Sequence, residues 1–204
     1  MNPNGVKQID KNDIIKHVEK GETYIFSTKI QKITKYNWKK EKIIAFTNKR
    51  ILLFKGKLLQ RKIKSIMIDA VTKSTHKESL EFVLHLQTDH DYRFSTTVRE
   101  EIINLINYLY AMNKKNPLPI YEVPDLELKA YVTTKHDKTI HKNRTPNESF
   151  RKQSNGEIIP KKEHLPELVK SSSLILSKQN SNQVNLNSFK IIQQVGKGSY
   201  GRVF

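Results

Sequence analysis

The sequence predicts a mainly β domain, a seven-stranded barrel closed by a C-terminal α-helix. Three observations lead to this fold: apolar runs separated by turn residues recur through residues 24–95, the hydrophobic period then becomes helical, and both patterns end at Pro117. Short strands that follow one another at a spacing of roughly 8 to 12 residues are typical of a sandwich or barrel. We therefore expect residues 22–116 to form one domain, preceded by a short N-terminal segment, residues 1–21.

The seven strands are predicted from apolar residues that alternate with polar ones or form short runs between turns. Their expected positions are residues 24–35, 42–47, 50–55, 59–63, 66–72, 81–86 and 92–95. Asn48 and Lys49 separate two apolar runs, which indicates a hairpin, and Gly56 and Lys57 mark the next turn. Residues 37–40 are expected to form a polar turn after the first strand.

The closing helix is predicted from the change of hydrophobic period after the last strand. Apolar side chains recur at helical spacing at Val98, Ile102, Ile103, Leu105, Ile106, Leu109 and Met112. Thr96 and Thr97 are candidate N-caps, and Glu100 and Glu101 fall in the first turn, where the helix dipole favours acidic side chains. Basic residues followed by Pro117 indicate where the helix ends.

The segments on either side of the domain carry weaker patterns. Ile14, Ile15 and Val18 form a short amphipathic piece that is expected to pack outside the barrel. Residues 117–187 are rich in Pro, Ser, Asn, Lys and Thr, and they are expected to be a largely disordered linker. Within this linker, Ser154 follows a basic pair at the spacing of a basophilic kinase substrate, so it is a hypothetical regulatory phosphorylation site.

Positive charge is concentrated in one third of the domain. The chain has 37 Lys and Arg residues against 20 Asp and Glu residues, a formal net charge of +17. Residues 29–64 hold 13 of these bases and a single acid, Glu41. Most of the bases are Lys, which acts as a hydrated point charge rather than as a bidentate fork. The composition therefore favours attraction to a diffuse polyanion, such as an anionic membrane, over the reading of nucleic-acid bases.

Several other functional classes find little support in the sequence. The chain has no cysteine and no run of about 18 apolar residues, which excludes a disulfide framework and a membrane-spanning helix. No histidine has ligand-like neighbours, so no metal site is expected. A nucleic-acid backbone would suit the charge, but no nucleic-acid-binding motif is present, so nucleic acid is not an expected partner. We expect a cytoplasmic monomer that associates with membranes at their surface.

The most specific motif is a glycine-rich stretch near residue 200. Backbone amides can hold a phosphate chain only where the backbone comes very close, which glycine permits. The characteristic positions are Gly196, Gly198, Tyr200, Gly201 and Val203. This extended pattern resembles the glycine-rich loop of protein kinases. Residues 188–204 are similar to the first strand–turn–strand of the N-lobe of a serine/threonine kinase, of the AGC group.

This resemblance implies an ATP site in the parent kinase, with ATP and Mg as its cofactors. The site residues would be Val195, Gly196, Gly198, Ser199, Tyr200, Gly201 and Val203. The family's strand lysine and its catalytic and metal-binding aspartates would lie beyond Phe204. The chain alone is therefore expected to be inactive, and no residue is assigned a catalytic role.

A second resemblance covers residues 22–113. The seven strands, the closing helix and a basic first hairpin resemble the pleckstrin-homology fold, and the first two hairpins are more closely similar to the tail homology domain of class I myosins. The resemblance implies an anionic lipid headgroup at the open barrel end. The matching positions are Lys35, Lys40 and Lys42, with Lys39 beside them. The family usually has Arg where this chain has Lys42, so we expect general attraction to anionic lipid rather than recognition of one phosphoinositide.

Together these patterns predict the regulatory N-terminal region of a serine/threonine kinase, in which the β domain recruits the protein to anionic membrane. The alternative is a non-enzymatic scaffold or autoinhibitory module that binds a protein, with the lysines forming a solvated face. Trp38 has two possible roles, as a side chain that anchors its loop on the barrel or as one that enters a membrane interface. Salt separates the alternatives, because lipid attraction weakens with ionic strength and a hydrophobic protein interface does not.

Overall fold

The chain divides into two compact units, Met1–Lys170 and Ser171–Phe204. In the first unit, the computed structural model describes residues 10–114, 116–139 and 142–151. In the second unit, it describes the backbone of residues 196–198 and 201–203.

The described part of the first unit is built on a sheet of eight strands. These are β1 (Tyr24–Ile33), β2 (Lys39–Thr47), β3 (Arg50–Lys55), β4 (Leu58–Lys64), β5 (Ile68–Ser74), β6 (Glu81–Leu86), β7 (Tyr92–Ser95) and β8 (Ile120–Val123). Their order across the sheet is β4-β3-β2-β1-β7-β6-β5-β8. Neighbouring strands are antiparallel except for the parallel pair of β5 and β8. The mainly β class is confirmed, and β1 to β7 lie within a few residues of their predicted positions.

The sheet is open, so the closed seven-stranded barrel expected from the sequence is corrected. Its edge strands are β4 and β8, and no pairing joins them within the described residues. The sequence pattern ended the sheet at residue 95 and missed β8, which returns after the helix to pair with β5. Because a strand has only two edges, β8 and β6 together occupy both edges of β5. No edge of β5 is left for β4 to close against.

Helix α2 (Arg99–Lys114) follows β7, as the sequence predicts. The Thr96 hydroxyl accepts a hydrogen bond from Val98 N at 3.3 Å, which supports the predicted start. In the first turn, Glu100 accepts a hydrogen bond from the Lys73 ammonium of β5 at 2.7 Å. The buried face of α2 packs on the sheet and supplies the main core with Ile102, Ile103, Leu105, Ile106 and Leu109.

Strands β2 and β3 are buried on both faces, because a second element packs on their outer side. Side chains alternate along a strand, and Ile44 and Phe46 enter the main core. Their neighbours on the other face belong to a second cluster that contains Ile14, Ile43, Ala45, Leu52 and Phe54. Ile14 comes from helix α1 (Lys11–Ile15) and is fully buried. The predicted amphipathic piece therefore packs on the outer face of the sheet.

The segment after α2 is ordered wherever the structure describes it, which corrects the disordered linker expected from residue 117. We call residues 116–139 and 142–151 the post-helix segment. Besides β8, it contains the 3-10 helix Asp125–Tyr131, helix α3 (Lys135–Thr139) and the 3-10 helix Glu148–Phe150.

The post-helix segment is held to the domain by apolar packing as well as by strand pairing. Val123 and Leu128 are fully buried in a third cluster with Val83 of β6. The sequence does not indicate β8, because its four residues lie between two prolines and resemble a loop. Pairing with β5 satisfies the backbone that a loop would leave in water. The rest of the predicted linker, with Ser154, lies outside the described residues.

The second unit contains an antiparallel pair of short strands, β9 (Gly196–Gly198) and β10 (Gly201–Val203). They lie on either side of residues 199–200, where the sequence predicts the glycine-rich loop. The predicted ATP-site residues Val195, Ser199 and Tyr200 lie outside the described residues, as does the lead-in strand that begins at residue 188.

Candidate anion-binding end of the sheet

Three turns meet at one end of the sheet, which we call the loop end. It consists of residues 34–40 around the β1–β2 turn, residues 55–58 around the β3–β4 turn and residues 87–91 between β6 and β7. Ile33, the last residue of β1, is opposite both Lys39 of β2 and Arg93 of β7. Since antiparallel neighbours bring alternate turns to the same end, the register places all three turns together.

The β1–β2 turn presents two aromatic rings to solvent. Thr34 N donates to Trp38 O at 2.9 Å, and Trp38 N donates to the Thr34 hydroxyl at 3.1 Å, so one backbone bond and one side-chain bond close the turn. Asn37 adopts a left-handed conformation, with φ of 63°. Tyr36 and Trp38 are 66% and 67% exposed, and their ring centroids are 6.1 Å apart. Trp38 is therefore not an anchor on the barrel, the first of its two interpretations.

Three of the four lysines predicted to meet anionic lipid surround these rings. Lys35, Lys39 and Lys40 are exposed, and none forms an ion pair with an acid of the described residues. Glu41, the single acid in this stretch, lies 3.9 Å from the Lys29 ammonium instead. The loop end therefore combines unpaired positive charge with exposed aromatic surface.

Lys42 behaves differently from the other three predicted lysines. It is only 9% exposed, and its ammonium donates a hydrogen bond to the Gln60 side chain. Burial, followed by the nearby charges of Lys55 and Lys40, lowers the pKa of Lys42. Contact of Lys42 with an anionic headgroup at this end of the sheet stays a prediction, and its side chain lies on the same face of β2 as the core residue Ile44.

Lys32 is a residue of this site that sequence reasoning missed. Burial lowers the pKa of Lys32 to about 8, and the charges of Lys42 and Arg61 add to this effect. Its ammonium lies 4.2 Å from the centroid of the Tyr92 ring, in a cation–π contact. The alternation of β1 could have identified it, because it lies two residues after the buried Ile30 and therefore on the same face.

A cavity of about 670 Å³ opens beside the β1–β2 turn. One wall comes from the end of β1 and from residues 90–93, and the other comes from the post-helix segment. Six basic side chains line it: Lys32, Lys35, Arg93, Lys129, Lys135 and Arg144. Among the described residues of its wall, Asp91 is the only acid. The ordered residues after α2 therefore form one wall of a strongly basic cavity that no sequence pattern indicates.

Asp91 fastens the post-helix segment to the sheet at this cavity. It is 4% exposed, and its carboxylate accepts hydrogen bonds from Leu86 N at 3.1 Å and Thr133 N at 2.9 Å. Asp91 N donates in return to Thr133 O at 2.9 Å. His85 Nδ1 lies 2.8 Å from the carboxylate, and its Nε2 lies 2.7 Å from the Thr72 hydroxyl. This buried hydrogen-bond network holds the post-helix segment against the residue that precedes β7.

The described residues offer neither a metal site nor a membrane-spanning helix. No group of three or more His, Asp and Glu side chains is arranged to hold a metal ion there. No described helix is both long enough and apolar enough to span a membrane.

Comparisons with known proteins find distant structural likeness only. No protein-family model and no curated protein matches the chain. The chain is similar to the Slm1 PH domain in complex with D-myo-inositol-4-phosphate, with 17% identity, 44% of this chain and 95% of that chain covered, and a TM-score of 0.37.

Two human structures are similar at the same level. The hSac2 domain of the phosphoinositide phosphatase Sac2 has 8% identity, covers 57% of this chain and 92% of its own, and has a TM-score of 0.43. The PH domain of oxysterol binding protein-related protein 11 has 9% identity, covers 48% and 86%, and has a TM-score of 0.37. Likenesses this distant assign no function to the chain.

Proposed function

We propose that the β domain is a regulatory module that recruits its protein to anionic membrane through the loop end. The observation that carries this proposal is the combination of exposed aromatic rings and unpaired lysines at one end of the sheet. Tyr36 and Trp38 are two-thirds exposed, and Leu58 of the neighbouring turn is 68% exposed. Lys35 and Lys39 lie beside the rings in sequence and are exposed as well.

The two kinds of side chain suit the two layers of a membrane interface. Trp and Tyr are enriched at the level of the lipid headgroups, where one part of the ring is apolar and the other is wet. Each Lys close to an anionic leaflet contributes about 1 kcal/mol of attraction before screening. A surface that only needed solubility would not require large apolar side chains at its tips. This favours a membrane over the alternative of a purely solvated lysine face.

Sedimentation of the chain with vesicles tests the proposal. We expect binding to vesicles that contain phosphatidylserine, weaker binding at physiological than at low salt, and no binding to vesicles of phosphatidylcholine alone. Trp38 is the only tryptophan of the chain, so a blue shift of its emission on binding reports insertion of the β1–β2 turn directly. If the chain bound neither type of vesicle, the proposed membrane function would be wrong, and a protein-binding scaffold would be the better explanation.

The glycine-rich segment supports a second, finer part of the proposal, that the module belongs to a serine/threonine kinase. The supporting observation is the antiparallel pair of β9 and β10 on either side of residues 199–200, at the glycines of the motif. In such a kinase, backbone amides of the loop would cover ATP phosphates. Sequencing of transcripts that continue past Phe204 tests this part. The continuation should encode a strand lysine followed by catalytic-loop and metal-binding aspartates, and a continuation without them would contradict it.

A further inference from the structure

We propose that the basic cavity beside the β1–β2 turn is a binding site for a phosphate monoester, carried by a lipid headgroup or by a soluble molecule. The site lies between the loop end and the post-helix segment, and it shares Lys35 with the membrane-facing surface, whereas Tyr36, Trp38, Lys39 and Lys40 lie outside its wall. It deepens the proposed function, because a phosphorylated headgroup bound there would add specificity to general attraction. It can nevertheless be tested without a membrane.

The charge of the cavity favours a multiply charged anion. Of its six basic side chains, four form no ion pair with a described acid: Lys32, Lys35, Lys129 and Lys135. Asp91, the single acid among the described wall residues, already accepts hydrogen bonds from the backbone N–H groups of Leu86 and Thr133. Like charges gathered around one space repel one another, and an anion between them removes that repulsion.

Arg144 adds a hydrogen-bond donor in a fixed position. Its Nη2 donates to the Asp137 carboxylate at 2.8 Å, which orients the guanidinium. The pKa of Asp137 is lowered chiefly by this bond and then by hydrogen bonds from Thr134. The Nε of Arg144 is buried and has no hydrogen-bond partner among the described residues. A phosphate oxygen is the acceptor that an arginine N–H matches best in geometry and charge.

The size of the cavity distinguishes a phosphorylated headgroup from a lone ion. Its volume of about 670 Å³ lies in the range of small-molecule sites, roughly 300 to 1,000 Å³, and greatly exceeds the space of one phosphate. Ile33 and Val132 also contribute to the wall, so part of the ligand can lie against apolar surface. A ring that carries more than one phosphate fits these features.

Lys32 links binding to protonation. The charged and titratable groups that act on it are Lys42, Arg61, Asp89, His90, Tyr92 and Lys135. With its pKa lowered to about 8, a fraction of the free protein has Lys32 neutral at mildly alkaline pH. A bound phosphate favours the charged ammonium and raises that pKa. Affinity should therefore fall as the pH rises through 8, and it should also fall below about pH 6, where the phosphate monoester itself takes up a proton.

Titration calorimetry of the full chain with soluble myo-inositol trisphosphate, and with inorganic phosphate, tests the site. The informative variant is Lys129→Gln with Lys135→Gln, which removes two unpaired charges from the post-helix wall. We expect trisphosphate affinity to fall on the order of 10- to 100-fold. The control is Lys77→Gln with Lys142→Gln, which makes the same change in net charge at exposed positions outside the cavity wall. Thermal unfolding confirms that both variants fold.

Each outcome separates the site from the membrane function. Equal losses in both variants, or no trisphosphate binding by a chain that still sediments with phosphatidylserine vesicles, would overturn the site and keep the recruitment function. Trisphosphate binding without any vesicle binding would support the site and identify a soluble ligand. If vesicles gain affinity when a phosphoinositide is added, and the cavity variant alone loses that gain, the phosphate comes from a lipid headgroup.

Discussion

Reversing the charge of the three exposed lysines around the β1–β2 turn should abolish binding to anionic vesicles. In the variant Lys35→Glu, Lys39→Glu and Lys40→Glu, each change removes an attraction of about 1 kcal/mol and replaces it with repulsion. The summed loss is roughly 3 to 6 kcal/mol before screening, which corresponds to a fall in affinity of about 100-fold or more. Sedimentation with phosphatidylserine vesicles at low salt measures it. The effect should shrink as salt is added, because exposed charges are screened.

A variant with the same change in net charge shows whether position matters. Lys20, Lys64 and Lys77 are exposed at the opposite end of the sheet, near the start of β1, the end of β4 and the turn after β5. Replacing these three by Glu should reduce vesicle binding far less. Equal losses in the two triple variants would mean that net charge alone drives association. The loop end would then no longer be the membrane-facing surface.

Lys42 differs in burial from the other three lysines that are predicted to bind anionic lipid. Lys42 is close to Lys40 in the sequence. The structure shows that its side chain is buried and that its ammonium donates a hydrogen bond to the Gln60 side chain. The alternation along β2 predicts the face on which Lys42 lies, because Lys42 and the core residue Ile44 are two residues apart.

The strands and the helix could be predicted because their signals are local. A hairpin such as β2–β3 needs only two apolar runs and the intervening Asn48 and Lys49, all within a few residues. β8 could not be predicted in this way, since its four residues become a strand only by pairing with β5, nearly 50 residues earlier in the chain. The cavity has the same origin. Lys32 and Lys135 are separated by about a hundred residues of sequence and become neighbours only in the fold.

Among the residues around the cavity, Asp91 is the one whose loss should reduce stability most, because its hydrogen bonds join the post-helix segment to the sheet. Asp91→Ala leaves the buried His85 ring and the N–H groups of Leu86 and Thr133 without their acceptor. Removing one partner of a buried charged network typically costs about 3 to 5 kcal/mol of unfolding free energy. Chemical denaturation measures this change. The matched control is Asp89→Ala, two residues away, whose partly exposed carboxylate accepts hydrogen bonds from the backbone and ring of His90. Its cost should stay below about 1 kcal/mol.

The pH dependence of stability gives a second readout for Asp91. Burial acts to raise the pKa of its carboxyl, but the hydrogen bonds from His85 and from the N–H groups of Thr133 and Leu86 outweigh it, so the pKa is lowered from 3.8. A lowered carboxyl pKa contributes stability above the unfolded value, and that contribution is lost as the pH falls below it. The wild-type chain should therefore lose stability more steeply below about pH 4 than Asp91→Ala does. Parallel curves for the two proteins would contradict the role of the ionised carboxylate.

Hydrogen exchange would show whether Asp91 fastens the post-helix segment or only supports the core. The N–H of Thr133 bonds to the Asp91 carboxylate, and the N–H of Arg144 bonds to the Thr133 hydroxyl at 3.1 Å. In Asp91→Ala these two amides should lose protection before those of β2 and β3, because local opening precedes global unfolding. Since Arg144 and Lys135 belong to the same segment, trisphosphate affinity should fall with that protection. Loss of stability with protection at Thr133 intact would separate the Asp91 network from the phosphate site and make it a feature of the core alone.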